Sequence, residues 1–278
     1  MKITLAAAIF VSLSASAALS EVNLVPGKVA AFDITGEPSG FDPKSKYTFV
    51  DRPKREGVVP VLLYIHGGGG YIEHDKKAVA FFKGMGFATV AFDAFKLNKI
   101  PLSSNDLSQK LSLNAKQRML LPVSTEALAW ILEQEWADKS AIYIYGQSNG
   151  ARIALVLAGR VDQNNVRLVM AEAPAQCCIP LPAALRVPTK LFYGNADNWG
   201  ATEENDLLYT QKSGSLASVK EWAETQNDGN LEVKFYDGGH GLFYGKGVPS
   251  VRIGGVVRPK GGDVEKLKRD IKEWVGKK

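Results

Sequence analysis

Cysteine and histidine are scarce, with two of the first and three of the second in 278 residues. The two cysteines, Cys177 and Cys178, are neighbours, so no disulfide within one chain can staple distant segments. Adjacent Cα atoms stand about 3.8 Å apart across a trans peptide. A bridge between the two would therefore be strained and readily reduced; two small, partly buried thiols are the other reading. The histidines form neither H-E-x-x-H nor a clustered Cys/His spacing, and no metal or cofactor is expected. There is no basic block or stripe: Lys and Arg number 34 against 29 Asp and Glu, a net charge of +5. Positive residues come in ones and twos, such as Arg52, Lys54 and Arg55, so no nucleic acid partner is expected. Internal repeats and low-complexity tracts are also missing. A content of 45% apolar and 23% charged residues excludes a disordered chain or a rod.

Long apolar runs are missing except at the start. Lys2 precedes an apolar stretch from Ile3 to Leu13, and Ala15-Ser16-Ala17 follows as an A-x-A site. This layout predicts a signal peptide over 1–20, cut before Ala18 or Glu21, and an exported protein, periplasmic or secreted. The stretch is short of the roughly 20 residues of a membrane span. An uncleaved anchor is the rival reading, but no stop-transfer pattern follows, so no stable membrane anchor is expected after cleavage. Residues 21–278 read as one domain, with nothing to indicate the oligomeric state.

What is present is an alternation of strand and helix patterns. Val29 to Ile34 and Lys46 to Val50 read as early strands among turn residues. Val58 to Ile65 is a continuous aliphatic run suited to a strand covered on both faces. Helix at Lys76–Lys83 and strand at Phe87–Phe92 follow. Then come a helix capped by Ser124 or Thr125 and running through Trp136, a strand at Ala141–Tyr145 and a helix at Asn149–Gly159. Strands at Val166–Met170, Lys190–Tyr193 and Leu231–Tyr236 precede a last helix at Val264–Val275. Such alternation implies βαβ crossovers and a three-layer α/β sandwich, mostly parallel, with helices on both faces. The polar stretch from Ala94 to Ala115 is long for a loop and is either a lid or a surface excursion.

Three glycine clusters carry the chemistry. Gly146-Gln147-Ser148-Asn149-Gly150 matches G-x-S-x-G between a predicted strand and helix, a context that places the Ser hydroxyl at the sheet's C-terminal edge beside a helix N-terminus. A serine nucleophile needs a base. His74 opens a charged helix and is expected as a solvated surface residue whose loss leaves activity unchanged. His66 heads His66-Gly67-Gly68-Gly69-Gly70 and is expected to brace that loop. The amides of Gly67, Gly68 and Gly69, with that of Asn149, resemble the oxyanion hole of esterases. His240, in Asp237-Gly238-Gly239-His240-Gly241 after a strand, is the expected base. Asp197, in Gly194-Asn195-Ala196-Asp197 after the preceding strand, is the expected acid, with Asp93 and Asp237 weaker alternatives. The chain order Ser148, Asp197, His240 is that of the α/β-hydrolase fold. Tyr71, Phe95, Lys96, Trp199 and Phe243 are candidate substrate contacts, with core packing an equal alternative for the aromatics.

These residues, together with Phe92-Asp93 and His240-Gly241-Leu242-Phe243, resemble the dienelactone hydrolase family of α/β hydrolases over nearly all of the expected mature chain. Ser148 stands where dienelactone hydrolase proper uses Cys. Phe243 and Tyr244, not Arg, follow His240. The resemblance thus implies acyl transfer without naming the acyl group. The expected activity is cleavage of a small-molecule or carbohydrate-linked ester; a peptidase or amidase, or a binding protein on a silent hydrolase scaffold, are the alternatives.

Overall fold

The computed structural model describes residues 22–24, 38, 40–101, 103, 111–175, 178–199, 215–227, 229–253 and 256–276. The expected signal segment, the expected strand at 29–34, Cys177, and residues 102 and 104–110 of the long polar stretch lie outside the described residues. Beyond Val22–Leu24 (β1), the strands of the main sheet are Thr48–Asp51 (β2), Val59–Ile65 (β3), Ala88–Phe92 (β4), Ala137–Gln147 (β5), Val166–Glu172 (β6), Thr189–Gly194 (β7) and Leu231–Tyr236 (β8). The helices are Glu73–Gly84 (α1), Ala94–Leu97 (α2), Leu113–Glu133 (α3), Asn149–Ala158 (α4), Ser215–Glu224 (α5) and Val264–Gly276 (α6). Val251–Ile253 (β9) and Val256–Arg258 (β10) pair as an antiparallel hairpin, and β1 adds to β9 in parallel.

The main sheet has the order β2-β4-β3-β5-β6-β7-β8. β2 alone runs antiparallel, at the edge beside β4; β4 through β8 pair in parallel. Period-two alternation sorts the core onto the two faces. Val61, Leu63 and Ile65 pack with Met119, Val123 and Ala127 of α3 and Ile153 and Leu157 of α4. Leu62 and Tyr64 pack with Ala78 and Phe82 of α1 and Leu267, Ile271 and Trp274 of α6. Both faces of β3 are thus covered, which is why it reads as an unbroken apolar run. Each fully buried Leu, Ile or Phe contributes about 1.5–3 kcal/mol. The result is a three-layer α/β sandwich. Among the described residues no helix is long and apolar enough to cross a membrane.

The expectation fails at α3, which starts at Leu113 and not near Ser124. Its true cap is Ser112, whose hydroxyl accepts from the Ala115 amide at 3.1 Å. Ser124 and Thr125 sit inside the helix and donate to the carbonyls of Leu120 and Leu121, four residues back. Pro122 stands two residues before Ser124 and cannot donate to the Arg118 carbonyl, a loss that ordinarily breaks a helix. Burial of Met119, Leu120 and Val123 offsets it. The long polar stretch also differs, since its first four residues form α2, capped by the Asp93 carboxylate at 3.1 Å from the Lys96 amide.

The chain reverses its direction of sheet growth at β3, with β4 on one side and β5 on the other. Loops leaving the C-terminal ends of β3 and β5 therefore diverge, and in such sheets this is where ligands bind.

Candidate active site

The turn from β5 into α4 holds Ser148 at φ 54 and ψ −113, a left-handed backbone that a non-glycine residue adopts only under constraint. The constraint is a set of backbone bonds. Ser148 donates its amide to the Glu172 carbonyl at 2.8 Å, and its own carbonyl accepts from Ala175 at 3.0 Å and Arg152 at 3.2 Å. The flanking glycines are required by close approach: a Cβ on Gly146 would overlap the Gly150 carbonyl, and one on Gly150 would overlap the carbonyl of Ile65 at the end of β3. The G-x-S-x-G pattern is thus the sequence trace of α4 packed directly against β3.

His240 lies on the loop after β8, fixed through its backbone to Pro259 and Gly261. Its Nδ1 stands 2.8 Å from Asp197 Oδ2, on the loop after β7. Asp197 is 2% exposed, and its other oxygen accepts from the Trp199 amide at 2.9 Å. An ionised carboxylate can only accept, so in the neutral ring Nδ1 carries the proton and Nε2 presents a lone pair. The two rival acids are engaged elsewhere: Asp93 caps α2 and pairs with Lys96 at 3.0 Å, while Asp237 accepts from the Asn195 side chain at 2.9 Å. Trp199 stacks on the His240 ring at 4.7 Å between centroids.

The glycine loop after β3 reaches the same edge. A Cβ on Gly67 would stand 3.3 Å from Ser148 Cβ, and one on Gly68 would stand 2.9 Å from the Asn149 side-chain amide. Gly70 donates back to the Gly67 carbonyl at 3.4 Å, closing the turn that contains Gly69. His66 braces this loop, with Nδ1 2.7 Å from the Gly67 carbonyl and Nε2 accepting from the Ala94 amide at 3.0 Å. Gln117 of α3 donates to Asn149 Oδ1 at 3.2 Å and accepts from the amides of Cys178 and Ile179. Cys178 is disulfide-bonded, and the chain's other cysteine, Cys177, lies outside the described residues. Lys116, beside Gly68, has its amine pushed down to about 8 by burial.

The candidate aromatics divide. Phe95 is fully buried against His66, and Phe243 is a core residue against Tyr145 and Phe81. Tyr71, partly exposed, stacks on Phe49. Trp199 is the candidate that touches the His240 ring.

His74 corrects the sequence reading, because it is 4% exposed and not a solvated residue. Its neighbour Asp75 is drawn in by Tyr64, whose hydroxyl donates to it at 2.7 Å, and this turns the first turn of α1 toward the sheet. The His74 ring stacks on Tyr244 at 4.3 Å, and neither ring nitrogen makes a hydrogen bond. Burial, with smaller contributions from His240 and Lys260, lowers its pKa from 6.5 to about 3, so the ring is neutral.

Two further polar side chains escaped the sequence reading. Gln147, the first of the two variable residues of the serine motif, has its Nε2 at 3.2 Å from His240 Nε2. Glu172 closes β6; its carboxylate accepts from the Tyr145 hydroxyl at 2.5 Å and from the Leu242 amide, tying the loop of His240 to the sheet. The one available signal was a carboxylate ending the apolar run Val166–Glu172. Burial pushes the Glu172 carboxyl up from 4.5 to about 7, partly offset by those two hydrogen bonds. Between these two values the folded protein retains a proton that the unfolded chain has released, so stability falls as pH rises through the window. Glu172→Gln keeps an acceptor for Leu242 and a partner for Tyr145 but cannot titrate. Urea unfolding at about pH 5 and about pH 8 is expected to show a smaller loss of stability in the variant than in the wild type. Equal losses would refute the assignment.

No family profile and no curated protein matches the sequence. Solved structures do match. A candidate dienelactone hydrolase from Klebsiella pneumoniae subsp. pneumoniae MGH 78578 superposes with a TM-score of 0.60 at 15% identity, over 83% of this chain and 92% of its own. The dienelactone hydrolase from Anabaena variabilis ATCC 29413 gives 0.53 at 17% identity, over 82% and 89%. Est1E from Butyrivibrio proteoclasticus, with ferulic acid bound, gives 0.52 at 13% identity, over 82% and 92%. At such identities the likeness is one of fold, and it agrees with the strand order and the three layers described above. The chain has the α/β-hydrolase fold, in the form shared by dienelactone hydrolase-like structures.

Proposed function

We propose that the protein is an exported serine hydrolase that cleaves a small-molecule or carbohydrate-linked carboxylic ester through an acyl-enzyme. The observation that carries this reading is the 2.8 Å pairing of His240 with Asp197 at the sheet edge where Ser148 sits on its strained turn. His240 Nε2 takes the Ser148 hydroxyl proton as Oγ attacks the ester carbonyl. The amides of Asn149 and of the Gly67–Gly69 turn receive the negative charge of the tetrahedral intermediate. Asp197 holds the imidazole tautomer and stabilises the imidazolium. The imidazolium then protonates the leaving alcohol, the acyl group remains on Ser148, and water activated by the same base releases the acid. The nucleophile is an oxygen and not a thiolate, so it depends throughout on His240 for activation.

The test is intact mass after exposure to a serine-reactive phosphonate, followed by turnover of a panel of small acyl esters. A single adduct that disappears in Ser148→Ala is expected, on exported protein whose mass places its start at Ala18 or Glu21. An adduct that survives Ser148→Ala, or no adduct, overturns the reading. Labelling at Ser148 with turnover of amides alone would move the protein to the peptidase and amidase class.

A further inference from the structure

The proton-accepting atom of His240 is occupied. Among the described residues, Gln147 is the hydrogen-bond partner of His240 Nε2, at 3.2 Å. The Nδ1 side of the ring is held by Asp197, so in the neutral ring Nε2 carries the lone pair and the Gln147 amide N–H is the donor. In this arrangement the base is engaged by the residue before the nucleophile and not by the nucleophile.

Close to Gln147 lies a second imidazole. His74 is buried, its Nε2 stands 3.4 Å from Asp75 Oδ1, and neither ring nitrogen has a partner in hydrogen-bond geometry, although Gln147 lies near enough to act on the ring and push its pKa up against the larger effect of burial. A buried polar group left without a well-formed hydrogen bond costs about 1–3 kcal/mol, so an imidazole without one beside the Gln147 amide calls for an explanation. The geometry connects them: His74 stacks on Tyr244, while the Tyr244 ring and Gln147 Nε2 both border Gly241, the latter 3.8 Å from where its Cβ would be. The Gln147 carbonyl end borders Gly67, where any side chain would displace it. Asp75, Lys260, His240 and His66 are the ionisable groups around His74. The ring stays neutral, so one of its nitrogens always offers a lone pair.

We propose that Gln147 and His74 are positioning residues that form a two-place brace, in which the Gln147 amide rests on His240 Nε2 and moves onto the neighbouring His74 ring when Ser148 engages the base. The proposal rests on the serine-hydrolase reading of Ser148 and His240. No proton changes owner in the exchange; one amide N–H replaces its imidazole acceptor by another, and Nε2 becomes free to take the Ser148 proton.

The test compares Gln147→Met, His74→Phe and the double variant in their rate of phosphonate labelling at Ser148. Met keeps the volume of Gln without a donor, and Phe keeps the stack on Tyr244 without an acceptor. Gln147→Met is expected to label about three- to tenfold faster, since a bond of ordinary strength no longer holds the base. His74→Phe is expected to label more slowly by a similar factor, because the amide has lost its alternative place, and to have no effect once Gln147 is Met. A residue with a merely structural role would slow both backgrounds alike, which overturns the brace, as does Gln147→Met labelling at or below the wild-type rate. A second readout is independent of labelling: the 15N resonance of His240 Nε2 in the neutral ring must shift on Gln147→Met. No shift overturns the proposal even if His74→Phe does not fold. A shift without any labelling of Ser148 supports the Gln147 bond and instead sinks the hydrolase reading.

Discussion

Ser148→Ala and His240→Ala are each expected to lower ester turnover by about four to six orders of magnitude, with the double variant no worse than either. The non-additivity follows from a shared step: without Oγ there is no nucleophile to deprotonate, and without the imidazole the hydroxyl keeps its proton. Under the proposed mechanism the remaining rate comes from binding and from the backbone donors around Gly67–Gly69 and Asn149. Asp197→Asn is expected to cost about 10⁴-fold while leaving the fold intact, because an amide in place of the carboxylate favours the wrong imidazole tautomer. Steady-state rates of the four variants on one ester decide the matter. Asp93→Asn and Asp237→Asn serve as comparisons, since Asp93 caps α2 and Asp237 binds Asn195. Full activity in Asp197→Asn with loss in either of these would reassign the acid, whereas unchanged turnover in Ser148→Ala would remove the mechanism altogether.

Gly150→Ala is expected to be a severely damaging substitution for one added methyl group. Its Cβ would overlap the carbonyl oxygens of Ile65 and His66, which are backbone atoms and cannot turn aside as a side chain does. Either α4 must lift from β3 or the end of β3 must bend, and both elements bury their contact residues completely. Overpacking of this kind costs about 3 kcal/mol or more, a fall in Tm of roughly 10 °C for a chain of this length. Gly84→Ala is the counterpart. Gly84 ends α1 with no atom within 4 Å of its would-be Cβ, so Ala there is expected to stabilise by about 0.5–1 kcal/mol. Thermal melts of the two variants should move in opposite directions. A Gly150→Ala protein that melts with the wild type would mean that helix and strand are not held as close as the serine turn requires.

The same contact explains how far the sequence could be read. Gly146, Ser148 and Gly150 announce themselves because the tight turn and the close approach leave no room for other residues, and such steric demands act over a few positions of chain. The alternation along Val59–Ile65, the glycines around His66 and His240, and the order Ser148, Asp197, His240 are local in the same way. They were enough for the layered fold and for singling out Ser148, Asp197 and His240 as residues that follow strands. Where packing against distant segments competes with a local signal, the local signal misleads: the hydroxyls of Ser124 and Thr125 suggested a helix cap there, but the core beneath α3 carries the helix through from Leu113.

From the sequence alone came the strand and helix periods, the turns that need glycine, and the chemical identity of a serine, a histidine and an acid at strand ends, all set by neighbours along the chain. The tertiary structure alone decided which polar groups are buried and whom they meet. Glu172 reaches Leu242 across 70 positions, Gln147 reaches His240 across 93, and His74 leaves the surface because Tyr64 binds Asp75. Burial and hydrogen-bond partnership depend on elements that become neighbours only when the sheet assembles, so no local pattern carries them.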